Sequence, residues 1–171
     1  MIDLLRDKLG LFLGRRPAPL QIAALCLDLS SGKVLLITSR GTGRWILPKG
    51  WPMTGRSLGE AAQQEAWEEA GVRGPLMRHE FGTYHYDKKQ DRGFGIPVLV
   101  HVFGIEVQEL ADDFPEVGQR RRAWFTPAEA AELVEETGLK TLLRELPDPA
   151  ELAWTSDGST AARVSHSRQG S

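Results

Sequence analysis

The sequence predicts an α/β domain in which a mixed β-sheet is covered on both faces by helices. Apolar runs of strand length recur at "QIAALCLDL", "KVLLITSR", "PLMRHEFGTYHY" and "FGIPVLVHVFGIEV". A capped helical segment separates the second run from the third, and another segment with helical periodicity follows the last. The 171 residues suit one domain with a full hydrophobic core.

The elements follow in order. In "MIDLLRDKLGLFLGRRPAPLQ" the apolar residues are interrupted by Asp3, Arg6, Asp7 and Lys8, which argues against a signal peptide. Residues 1–17 are expected to form a short amphipathic helix that packs on the domain or on a partner. No run is long enough for a transmembrane helix. "SSGK" joins the first two strands as a hairpin, and "GTGRWILPKGW" is a loop around a short strand at Trp45 to Leu47. Ser57 with Glu60 fits a capping box, so a helix begins at Leu58, and Gly71 is its stop. The third and fourth strands are joined by the charged turn "DKKQDRG". A polar loop, "QELADDFPEVGQR", leads to the short strand "RAWF". "TPAEAAELVEETGLKTLLREL" is helical, with a break expected at Gly138. The domain is therefore placed at 18–148, with 149–171 as a polar tail.

Composition narrows the function classes. A hydrophobic content of 41% and a charged content of 26% belong to a globular protein. The net charge of −2 gives no general attraction to nucleic acid or membrane, so neither is an expected partner and any anion site has to be a local basic cluster. The lone Cys26 lies in an apolar run and reads as a packing residue; a cytoplasmic location is the expectation.

The helix raises the chemical question. At about 100° per residue, Leu58, Ala61, Ala62, Glu65, Glu68, Glu69 and Val72 share one arc of about 120°. Most acidic runs on helices are solvated faces. Here the acids continue the stripe that ought to be buried, and like charges one turn apart repel. A hard divalent cation removes that conflict, because oxygen ligands converging from one face suit Mg²⁺ or Mn²⁺.

With Gly50 and "QEAWEEAGV" in register over 23 residues, the stretch resembles the Nudix box. The matching positions are Gly50, Glu65, Glu68, Glu69, Gly71 and Val72. Arg56 stands where the family has Glu, and Gln64 where it has Arg. "SRGTGRWILPKGW", "DKKQDRG" and "GQRRRAWFTPAEA" are similar to the diphosphoinositol polyphosphate phosphohydrolase branch, whose members also cleave diadenosine polyphosphates. The resemblance implies a Nudix fold, an α/β/α sandwich with a catalytic loop–helix–loop, and Mg²⁺-dependent hydrolysis of a phosphoanhydride in a polyphosphorylated small molecule. It implies Glu65, Glu68 and Glu69 as metal ligands and catalytic groups, with the Gly50 carbonyl as a further ligand. Glu116 is the candidate for an acid outside the box. Phosphate contacts are expected from Arg40, Arg44, Lys49 and Arg56, from Lys88, Lys89 and Arg92, and from Arg121 with its neighbours Arg120 and Arg122. Other readings within reach are a nucleoside-triphosphate or ADP-ribose pyrophosphatase and a non-catalytic domain that binds phosphorylated ligands.

Overall fold

A computed structural model describes residues 18–89, 93 and 95–156; the expected N-terminal helix, Arg92, the side chain of Lys89 and the tail from 157 lie outside the described part. Two apolar strands, β1 (Leu20–Asp28) and β2 (Lys33–Thr38), form the predicted hairpin, with Cys26 opposite Leu35. Beyond that pairing the two strands part, and the 45–50 segment fills the wedge. There β3 (Trp45–Ile46) pairs with β2, and β4 (Lys49–Gly50) pairs with β1. The Ala24 N–H donates to the Pro48 carbonyl at 2.8 Å, which closes the wedge.

The predicted helix α1 spans Leu58–Ala70. Ser57 and Glu60 make a reciprocal capping box, and Gly71 takes the left-handed conformation (φ 67°) that releases the chain. β5 (Val72–Arg73) follows it. The long hairpin of β6 (Leu76–Lys89) and β7 (Gly95–Glu106) places β7 parallel to β1. In the polar loop, β8 (Glu109–Leu110) pairs with β5. Then β9 (Arg122–Phe125) adds to β2, completing among the described residues a mixed seven-stranded sheet whose main order is β3-β2-β1-β7-β6.

Side chains alternate across β1 into two cores. Ile22, Ala24 and Cys26 pack with Ala61, Ala62 and Ala66 of α1. Ala23, Leu25 and Leu27 pack with Ala130 of α2 (Pro127–Leu133) and with Leu139 and Leu143 of α3 (Thr137–Arg144). Burial on both faces explains why β1 reads as an unbroken apolar run. Cys26 is fully buried, and burial pushes its thiol up to about 12, so it is a packing residue.

Two expectations are corrected. The C-terminal helical segment breaks at Val134, which is extended at ψ 157°, and not at Gly138. Gly138 lies inside α3 because it approaches β6 closely: a Cβ there would sit 2.8 Å from that of Tyr84. The segment assigned to the polar tail opens with a helix, α4 (Pro149–Ser156), whose Leu152 is buried in the core.

Candidate active site

α1 lies along β1 and β4 with its small residues inward, so its last two turns bring carboxylates against β4, in the wedge where β1 and β2 part. Glu69 is buried, and Glu65 and Glu68 are half-buried. The β1–β4 pairing puts Gly50 directly against Glu65: a Cβ at Gly50 would collide with the Glu65 carboxylate. The carboxylate thus occupies a cradle that only glycine leaves open.

The geometry around the other two acids is specific. Glu69 Oε2 accepts the Lys49 backbone N–H at 3.1 Å, and its Oε1 accepts from Arg120 Nη2 at 2.6 Å. Arg120 Nε donates to Glu116 Oε2 at 3.0 Å, and Nη1 donates to the Thr38 carbonyl at 3.2 Å. The Glu116 backbone N–H donates to the Glu68 carbonyl at 3.0 Å, which folds the polar loop onto α1. Glu68 Oε1 accepts from Gln64 Nε2 at 2.6 Å. Gln64 therefore serves Glu68, one turn on, and not its neighbour Glu65.

Proton affinities report the crowding. Burial, followed by the charges of Glu69, Glu68 and Glu116, pushes Glu65 up to about 7. Burial also holds Glu69 above the usual carboxylate range, although Arg120 and the Lys49 N–H oppose it. Such a cluster gains from a cation. Its all-oxygen donor set and the Gly50 cradle fit a hard divalent ion, which Glu65, Glu68 and Glu69 would hold. With Glu69 turned to Arg120 and Glu68 to Gln64, no three of these acids already converge on one point among the described residues.

The basic residues divide. Lys49 is beside the acids, its Nζ 3.4 Å from the Tyr86 hydroxyl and 4.8 Å from that ring's centre. Lys88 Nζ lies 4.9 Å above the Trp51 ring. Most of the arginines hold partners within the fold. Arg40 reaches Gln119 at 3.1 Å and Glu116 at 3.7 Å. Arg44 pairs with Glu135 at 2.9 Å and with the buried Glu136 at 3.5 Å. Arg121 lies over Trp45, and Arg122 donates to the Ala70 carbonyl at 2.7 Å, capping α1. Arg56 is exposed at the start of the helix. Of the three consecutive arginines, the structure brings only Arg120 into the acid cluster, as Glu116's partner; the sequence signal for it was the i,i+4 spacing from Glu116.

Fold and site together define a mixed-sheet α/β domain whose loop–helix–loop carries an acid cluster against the β1–β4 pairing. The NUDIX domain family model matches residues 19–146. The chain belongs to the Nudix family. It is 32% identical over 128 residues to "Nudix hydrolase 12, mitochondrial" of Arabidopsis thaliana, covering 70% of this chain and 63% of that protein. It is 34% identical over 119 residues to "Diphosphoinositol polyphosphate phosphohydrolase 3-beta" of Homo sapiens, covering 66% of this chain and 68% of that one. The chain thus spans less than two thirds of the Arabidopsis protein's length. A solved NUDIX hydrolase from Nitrosomonas europaea shares the fold, with a TM-score of 0.60 and 21% identity over 81% of this chain and 91% of that one. Nudix enzymes generally use divalent metals such as Mg²⁺. No helix among the described residues is long and apolar enough to cross a membrane.

Proposed function

We propose that this chain hydrolyses a phosphoanhydride bond in a polyphosphorylated small molecule, with diphosphoinositol polyphosphates or diadenosine polyphosphates as the leading substrates. The observation that carries the reading is the Glu65 carboxylate, pressed into the Gly50 cradle and crowded by three further acids. A bound Mg²⁺ or Mn²⁺ would screen phosphate oxygens and make a water more acidic at neutral pH. Glu65, Glu68 and Glu69 would hold that ion, and the Gly50 carbonyl would be a further oxygen ligand. A carboxylate of the same cluster accepts the proton of the attacking water. Arg120 and the Lys49 N–H keep Glu69 in place while substrate binds. Lys49 and Lys88, which rest on rings beside the acids, supply the cations that meet the phosphate chain.

The test is product release from a panel of a diphosphoinositol polyphosphate, diadenosine hexaphosphate, ADP-ribose and an oxidised nucleoside triphosphate. Each is run with and without Mg²⁺, using wild type and Glu69→Gln. Mg²⁺-dependent turnover of either of the first two, lost in the variant, supports the reading. Turnover confined to the last two reassigns the substrate to a single diphosphate or triphosphate. Binding without turnover makes this a domain that senses phosphorylated ligands.

A further inference from the structure

Beside the acid cluster, two ammonium groups rest on two aromatic rings in alternation. Lys49 of β4 lies on Tyr86 of β6, and Lys88, two residues along the same strand, lies on Trp51, which directly follows Gly50. Alternate residues of a strand share a face, so Tyr86 and Lys88 both point to the 49–51 segment. The inner pair is tied down: Tyr86 donates its hydroxyl proton to Gln21 at 2.6 Å. The outer pair is open. Trp51 is 46% exposed, the largest exposed aromatic surface among the described residues. Among the described residues its ring meets the Lys88 ammonium, a weak interaction at an exposed position. Trp45 differs, because Phe125 packs edge-on against it at 5.0 Å.

An exposed indole next to Gly50, covered on one side by the exposed Lys88, suits a ligand that is anionic at one end and flat at the other. A phosphate chain would draw Lys88 off the ring, and the ring face it leaves would be free for a planar group. A phosphorylated inositol ring has no π-face to stack on the indole, whereas a nucleobase has one. We propose that Trp51 is the stacking platform for a nucleobase of the substrate, with Lys88 and Lys49 meeting the phosphates that lead from it to Glu65. This selects the nucleotide-containing substrates among those named above, and it rests on that reading for the position of the acid site.

The experiment compares the binding of α,β-methylene-ATP with that of inorganic tripolyphosphate, which carries the phosphates without the base. Calorimetry in Mg²⁺ is run on wild type, Trp51→Ala and Trp51→Phe. Wild type should bind the nucleotide about tenfold or more tightly than tripolyphosphate. Trp51→Ala should bring the two ligands within about twofold of each other, and Trp51→Phe, which keeps a ring, should restore most of the preference. Equal binding of both ligands by wild type, or a preference that survives Trp51→Ala, would overturn the proposal. Turnover is measured separately: a base preference without hydrolysis defeats the proposed activity and leaves the platform standing, and hydrolysis without base preference does the reverse.

Discussion

Replacing Arg120 with glutamine removes one charge and the fork that joins Glu69, Glu116 and the Thr38 carbonyl. The Arg120 and Glu69 side chains are 7% and 10% exposed, so water cannot take over the lost bonds. Breaking a buried ion pair from one side costs about 3–5 kcal/mol. Glu69 keeps the Lys49 N–H, which places the cost towards the lower end, about 3 kcal/mol. Glu69 also has an escape, since it can take up a proton once Arg120 no longer opposes its raised pKa. The loss should therefore be largest at pH 8 and shrink towards pH 5.5. Mg²⁺ should restore part of it by returning positive charge to the same oxygens. Urea unfolding followed by circular dichroism, at both pH values, with EDTA and with Mg²⁺, measures all three effects. A loss under about 1 kcal/mol at pH 8, or one that ignores both pH and Mg²⁺, would refute the reasoning.

Other outcomes follow from the same geometry. Gly50 lies outside the left-handed region, and its obstacle is the mobile end of Glu65, so Gly50→Ala should fold with a near-normal melting curve. Its Mn²⁺ affinity should fall at least tenfold, and unchanged affinity would remove Glu65 from the site. In EDTA the wild type should lose stability as pH rises from about 4.5 to 7. In that window unfolded glutamates have ionised while folded Glu65, pushed up to about 7, keeps its proton. Saturating Mg²⁺ should flatten this slope in a melting series, and a slope that Mg²⁺ leaves intact would show that the ion does not bind there. Gln64→Arg keeps a donor for Glu68 and adds charge, so turnover should equal or exceed wild type; a tenfold loss would mean the site is built around Gln64.

Much of the fold was legible because it is written in local chemistry. Ser57, Glu60 and Gly71 announce both ends of α1, and "SSGK" announces the first hairpin. The acids stood out because they occupy the face that Leu58, Ala61 and Ala62 bury. What stayed hidden depends on distant partners. The two-residue strands β4, β5 and β8 are too short to carry a periodic signal. Arg44 and Arg120 reach Glu135 and Glu69, more than 50 positions away, so the arginine run divides in space: Arg120 and Arg122 meet the end of α1 while Arg121 lies over Trp45. Gly138 misled because a helix can carry a glycine where a neighbouring strand comes close.

The central claim is that the acidic face of α1 is a divalent cation site. Electron paramagnetic resonance of Mn²⁺, titrated into wild type and Glu65→Gln/Glu69→Gln at pH 7.5 without substrate, tests it most directly. Wild type should bind Mn²⁺ saturably, in competition with Mg²⁺, and the double variant should not bind it. Equal Mn²⁺ binding by the two proteins, or none by wild type at millimolar concentration, would contradict the claim.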